Sequence, residues 1–217
     1  MRHNQRGFTL IELLLVVAII SLILTLTVPA LVTVRRQALI LRCQNNMRHI
    51  HAMVLAWIPE HDRLVPYLFP ESMLDPEHRD TLGTQASVLA DIVENNRAIL
   101  KCPADIGYGG VDYGLTAEGV TCFTHLGQSY AYNNTFYTDP PPGYEGRPIP
   151  MAQLDDRDNQ IIMLSDFSSV WHGSPGSDTR SSKYFLNLMF FDGHVVGKEF
   201  DSDREAKTFR SEHSRWW

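Results

Sequence analysis

The sequence predicts an α+β protein in which one long N-terminal helix precedes a small antiparallel-sheet domain. Three observations carry that expectation. No charged residue occurs across the 22 positions from Leu13 to Val34. Beyond that run, apolar residues recur at helical spacing up to Trp57. The last third of the chain then holds short apolar stretches separated by turn residues, the final two flanking Asp192-Gly193.

The uncharged run comes first. At 1.5 Å per residue it gives roughly 33 Å of helix, about the thickness of a bilayer core. A cleaved secretory peptide has a shorter apolar stretch and a small-residue cleavage site after it, so a span over about 10–34 is the expectation. Ile40, Cys43, Met47, Ile50, Val54 and Trp57 follow with spacings of 3, 4, 3, 4 and 3, one face of an amphipathic helix. Arg42, Gln44, Asn45 and Arg48 are expected on the other side. Pro59 removes a backbone donor and ends the pattern, so residues 8–58 read as one helix of roughly 76 Å, bent or loosened at Pro29.

Residues 59–217 read as the globular domain. Prolines at 59, 66, 70 and 76 mark residues 60–80 as an irregular connection. Ala86, Leu89, Ile92, Val93 and Ile99 predict a helix over 84–97, closed before Cys102-Pro103. Glycines make 107–127 a loop, and Pro140-Pro141-Pro142-Gly143 with Pro148 and Pro150 make an extended surface segment. Strands are expected at Gln128–Tyr132, Gln160–Asp166, Tyr184–Phe191 and His194–Phe200. A two-residue type I′ turn at Asp192-Gly193 would set Phe191 opposite His194. Trp216 and Trp217 close a charged tail, and exposed termini are ordinarily mobile.

Charge limits the function classes. Residues 1–59 hold six Arg and one Glu, a net charge of +5, and the remainder carries −11. A phosphate-neutralising surface needs clustered Lys and Arg, so no nucleic-acid partner is indicated. For catalysis, the chain lacks a Gly-x-Ser-x-Gly elbow, and Cys102 or Cys122 with His125 lacks a third member. The Gly107–Gly110 cluster is not followed by Lys-Ser or Lys-Thr, so no phosphate loop is read, and no catalytic residue is assigned.

The start of the span is unusual because Glu12 places a carboxylate inside an apolar run, where a charge without a partner is unfavourable. The stretch Gly7-Phe8-Thr9-Leu10-Ile11-Glu12 closely resembles the prepilin motif of type IV pilins and type II secretion pseudopilins. The resemblance implies a leader of residues 1–7, cleavage by a prepilin peptidase after Gly7, and N-methylation of the new terminal residue, Phe8. It also implies that Glu12 pairs with the terminal amine of a neighbouring subunit during assembly. Burying opposite charges together relieves both and can fix the axial register of apolar helices. Like subunits, the peptidase and the bacterial inner membrane are then the partners, with the domain outside the cytoplasm. A filament subunit that is structural, not enzymatic, is the implied function. The alternative is a membrane-tethered binding or adhesion domain that does not polymerise.

Orientation is contested within the sequence itself. Arg2 and Arg6 precede the span, whereas Arg35, Arg36, Arg42 and Arg48 follow it, so the positive-inside rule alone points the other way. That rule weakens where a long domain follows the span, and the motif outweighs it here.

Cys102 and Cys122 are the candidates for a disulfide, closing a loop of roughly 20 residues and leaving Cys43 over. In a reducing compartment all three would instead be thiols. More loosely, Cys43-Gln44-Asn45-Asn46-Met47, Cys102-Pro103-Ala104-Asp105, Ser129-Tyr130-Ala131-Tyr132-Asn133 and Asn187 through Val195 resemble a large pilin-like family common in planctomycete-type bacteria. Its closing motif has a histidine ten residues before the Asp-Gly aspartate. Ser182 stands there in this chain, and His172 lies too far upstream to be a simple replacement.

Asp166, His172, Asp192 and His194 offer ordinary metal-ligand types but read as strand and turn residues, so no metal site is assigned. Some pseudopilins set a loop with calcium, and Asp105, Asp112 and Asp178 are oxygen donors of the right kind. No other cofactor is expected.

Overall fold

The computed structural model describes residues 9–69, 86–88, 92–93, 96–105, 121–133, 143, 149–154, 159–167, 172 and 184–214. The chain divides into two compact units, Met1–Ala38 and Leu39–Trp217. Helix α1, Leu10–Trp57, runs through Pro29 without a break in its assignment and supplies residues to both.

Within the first unit every described residue up to Arg35 is exposed, and Leu10, Ile11, Leu22, Leu26 and Leu31 are 65–80% exposed. Its few polar side chains turn inward onto the helix. The hydroxyl of Ser21 donates to the Val17 carbonyl at 2.8 Å, and that of Thr25 donates to the Ser21 carbonyl at 2.6 Å. These bonds hide polar groups that an apolar surrounding would penalise. The helix is long and apolar enough to cross a membrane.

In the second unit the C-terminal half of α1 buries Cys43, Met47, Ile50, His51 and Val54, the face expected from the 3,4 spacing. Gln44 departs from expectation. Its amide nitrogen donates to the Asn187 side-chain oxygen at 3.0 Å, so it sits at the edge of the packed face instead of on the solvent side. After Trp57 one 3₁₀ turn, Ile58–Glu60, carries Pro59, and Asp62 and Arg63 take positive φ to redirect the chain.

The main sheet has four antiparallel strands in the order β3-β4-β5-β6: β3 Tyr130–Tyr132, β4 Ile162–Asp166, β5 Tyr184–Phe190 and β6 Val195–Phe200. Both of its faces are covered, so β4 is buried along its whole length and β5 along all but Tyr184, and the polar Ser165, Asp166 and Asn187 are buried with the apolar residues. Tyr130, Tyr132, Met163, Met189 and Phe191 pack with the buried stripe of α1. Ile162, Leu186, Leu188 and Phe190 pack on the other side with Phe200, Ala206 and Phe209. The last two belong to helix α3, Asp203–Glu212. Ser202 caps α3 by accepting the Glu205 N–H at 3.1 Å, while Glu205 accepts the Asp201 N–H at 3.0 Å. A helix C-terminal to the sheet was not anticipated from the sequence, although Ser202-Asp203-Arg204-Glu205 is a capping pattern.

Three local expectations are corrected. Residues 86–88, expected inside a helix, form strand β2, Ala86–Val88, and pair in parallel with strand β1, Tyr67–Phe69. Strand β1 lies in the connection read as irregular. Parallel pairing depends on a partner some twenty residues away, which local patterning does not register. A 3₁₀ turn, Arg97–Leu100, follows, and the rest of 84–97 lies largely outside the described residues. A short helix α2, Cys122–Leu126, occupies the end of the segment read as a loop. Thr121 caps it, and Gly127 closes it at φ 78°.

The β5–β6 hairpin is shifted by one residue. Phe190, not Phe191, faces His194: the Phe190 N–H donates to the His194 carbonyl at 3.1 Å and the rings stack with centroids 4.2 Å apart. The loop therefore has three residues, Phe191, Asp192 and Gly193, and only Gly193 takes a positive φ, 88°. A type I′ turn needs positive φ at both central residues. A single left-handed glycine after a turn is the three-residue alternative that also matches strand twist.

Candidate functional site

Two places bear on function: the N-terminal end of α1 and a buried polar cluster between α1 and the sheet.

At the first, Thr9 and Glu12 form a reciprocal cap. The Glu12 carboxylate accepts the Thr9 N–H at 2.9 Å and the Thr9 hydroxyl at 2.7 Å, and the Thr9 hydroxyl oxygen accepts the Glu12 N–H at 3.3 Å. This is the capping box that Thr-x-x-Glu encodes, satisfying donors that a helix start leaves open. Thr9 was not singled out from the sequence, and that spacing is the signal that would have found it. Glu12 is thus held at the first turn with its carboxylate turned toward the chain start. Gly7 and Phe8 lie outside the described residues.

The second place overturns the expected disulfide. Cys102 is bonded to Cys43, not to Cys122, with Cα atoms 5.2 Å apart. Cys43 lies on the buried stripe of α1, so the bridge ties the helix to the loop after residue 100. Cys122 is a buried thiol at the start of α2. Its N–H and that of Phe123 donate to the two Asp105 oxygens at 3.0 and 2.9 Å, and the Ser129 hydroxyl donates to Asp105 at 2.6 Å. Asp105, considered as a calcium ligand, is therefore 6% exposed and acts as an internal anchor for the helix start. Asp112 and Asp178 lie outside the described residues.

Around the bridge the structure gathers groups that are distant in sequence. The His172 Nε2 atom lies 3.4 Å from Cys102 Sγ and 3.6 Å from Asp166 Oδ2. Asn187 donates from both its backbone N–H and its side-chain amide to Asp166 Oδ2, at 2.8 and 2.9 Å. Gln44 in turn donates to Asn187. All four of Cys43, Cys102, Asp166 and His172 are at most 1% exposed. Burial, with a smaller contribution from Asp105, raises the Asp166 carboxyl to about 7 against the lowering effect of the Asn187 bonds. Burial likewise pushes the Tyr130 and Tyr132 hydroxyls well above their ordinary range. Asp192 and His194, grouped with Asp166 and His172 in the sequence reading, instead pair with each other at the β5–β6 turn. His172 was named in the sequence only as a residue of metal-ligand type, and nothing in its flanking residues placed it beside Cys102.

A membrane-length apolar helix opening on a capped Thr-Leu-Ile-Glu, with an antiparallel sheet later in the chain, carries a prepilin-type N-terminal motif. Residues 2–28 match the family model for the prokaryotic N-terminal methylation motif. The chain is 36% identical over 64 residues to the ComG operon protein 3 homolog of Bacillus licheniformis, covering 29% of this chain and 65% of that protein. It is 34% identical over 62 residues to Competence protein ComGC of Halalkalibacterium halodurans, covering 29% of this chain and 61% of that one. The chain thus spans less than two thirds of the length of these curated relatives. No solved structure matches it.

Proposed function

We propose that this protein is a structural subunit, a pilin or pseudopilin, of a type IV pilus or a type II secretion-like filament. The observation that carries the reading is the motif itself: a Glu12 held at the first turn of α1, five residues after Gly7 and just before the uncharged run from Leu13 to Val34. In this reading a prepilin peptidase removes residues 1–7 and Phe8 becomes the methylated terminus. The span over about 10–34 holds the subunit in the bacterial inner membrane until assembly, and residues 59–217 lie outside the cytoplasm. The Cys43–Cys102 bridge supports that placement, since disulfides persist in oxidising compartments.

Assembly then follows from charge. An apolar helix slides against its copies without a preferred register, whereas a carboxylate and a terminal amine that must neutralise each other select one offset. Pilins and pseudopilins are structural, and a subunit of this kind performs no catalysis of its own.

Mass spectrometry of the protein from its native membrane tests the processing step: the mature chain should begin at methylated Phe8. A chain retaining Met1 would overturn the reading. Glu12→Ala should abolish recovery of the protein in sheared filament fractions while leaving it in the membrane. Unchanged recovery, with surface binding intact, would favour the non-polymerising tethered domain instead.

A further inference from the structure

We propose that, with its disulfide open, this chain binds one zinc ion between Cys43 Sγ, Cys102 Sγ and His172 Nε2, with Asp166 as the fourth ligand. The ligand atoms of Cys43, Cys102 and His172 already lie within 4.8 Å of one another, and every one of these residues is buried. Zinc takes such mixed sulfur, nitrogen and oxygen sets in tetrahedral geometry, at about 2.3 Å from sulfur and 2.0–2.2 Å from nitrogen or oxygen. Those bond lengths put a sulfur and a nitrogen about 3.5 Å apart, and a nitrogen and an oxygen about 3.4 Å apart. The structure has 3.4 Å for Cys102 to His172 and 3.6 Å for His172 to Asp166. The sulfur–nitrogen separation is therefore present before any ion arrives, and the Asp166 carboxylate stands beside the same imidazole nitrogen through Oδ2, leaving Oδ1 the oxygen free to turn to the ion.

The two sulfurs are the part that must change. Bonded, they are 2.10 Å apart, and around zinc they would stand about 3.8 Å apart. Two-electron reduction of the bridge yields two thiols, and zinc displaces both thiol protons as the imidazole lone pair and the carboxylate complete the set. No oxidant or reductant is needed for a newly made chain, whose cysteines start as thiols.

An independent observation points at Asp166. Its Oδ1 is buried and has no hydrogen-bond partner among the described residues, while Oδ2 is held by Asn187. A buried carboxylate oxygen left open is unfavourable unless something positive meets it. Asn187, itself steadied by Gln44, supplies the kind of outer support that orients a metal-binding carboxylate. The same 59-residue loop is then closed in both chemical states, by a sulfur–sulfur bond or by an ion.

The test uses the full chain in detergent, reduced by a phosphine, which is oxidised to its oxide as the bridge opens. Cobalt(II) and then zinc are added anaerobically, followed by dialysis and elemental analysis. The reduced chain should retain about one zinc, the oxidised chain none, and cobalt should give a thiolate charge-transfer band that zinc bleaches. Cys122→Ser should retain the metal. Cys43→Ser and His172→Ala, the latter checked by near-ultraviolet circular dichroism before reduction, should weaken binding at least tenfold. The proposal falls if the reduced wild type retains no zinc or shows no thiolate band. It also falls if the oxidised chain binds equally well, or if a folded His172→Ala binds as tightly as wild type.

Discussion

Cys43, on the inward face of the long helix, is joined to Cys102, 59 residues later, and the bond ties that helix to the loop that leads toward the sheet. A cross-link over that many residues restricts the unfolded chain and contributes about 4 kcal/mol on the loop-entropy scale. Cys43→Ser or Cys102→Ser should lower stability by roughly that amount, read from denaturant midpoints at matched slopes. Cys122→Ser should cost distinctly less. Peptide mapping without reductant should recover a Cys43–Cys102 pair, and a Cys102–Cys122 peptide would contradict the assignment.

Asp166 makes stability depend on pH. Its carboxyl rises from 3.8 to about 7 on folding, so between those values the folded chain holds a proton that the unfolded chain releases. The contribution is complete below about 4 and is lost as pH rises through 7. Relative to Asp166→Asn, the oxidised wild type should lose about 1.4 kcal/mol per pH unit across that window and then level off. Unfolding titrations of both proteins from pH 4 to 8 would show this, and parallel curves would refute it.

Gly193 closes the β5–β6 turn against the helix. It takes φ 88°, and a methyl group there would come within 2.7 Å of His51 Cε1, the imidazole whose Nε2 meets the Phe191 carbonyl at 2.9 Å. Gly193→Ala combines left-handed backbone strain with that clash and should destabilise by about 2 kcal/mol or more. Gly143 takes φ 91° but has nothing within 4 Å of an added Cβ. Gly143→Ala should therefore incur the backbone penalty alone and cost less. Equal thermal shifts for the two variants would contradict this account of the turn.

Thr9 and Glu12 separate capping from charge. Glu12→Gln keeps an acceptor for the Thr9 N–H and removes the negative charge, whereas Thr9→Val removes the hydroxyl and keeps the charge. If the charge sets subunit register, Glu12→Gln should reduce filament recovery far more than Thr9→Val. Quantitative immunoblots of sheared fractions give the comparison, and an equal loss would assign the effect to helix capping.

Much of the fold was legible in the residues because the relevant physics is local or periodic. The 22-residue uncharged run implies a span, the 3,4 spacing from Ile40 to Trp57 marks a buried stripe, and β4 to β6 appear where apolar runs stand between turn residues. What stayed hidden involved partners far apart in the chain. The β1–β2 pair is parallel, and its two strands lie in segments whose own patterns favour other structure. Phe190 faces His194 because only Gly193, and not Asp192, takes a left-handed φ, which makes the loop a three-residue one.

The site divides the same way. Taken alone, the amino-acid sequence determined the prepilin-type start, the membrane-length helix and the presence of a sheet, since hydrophobic period and capping pattern act between near neighbours. Only the tertiary structure decided which cysteine Cys102 meets and that His172 and Asp166 meet beside it. Those choices depend on how α1 lies across β4 and β5, and burial of these groups gains its meaning only once distant segments exclude water together.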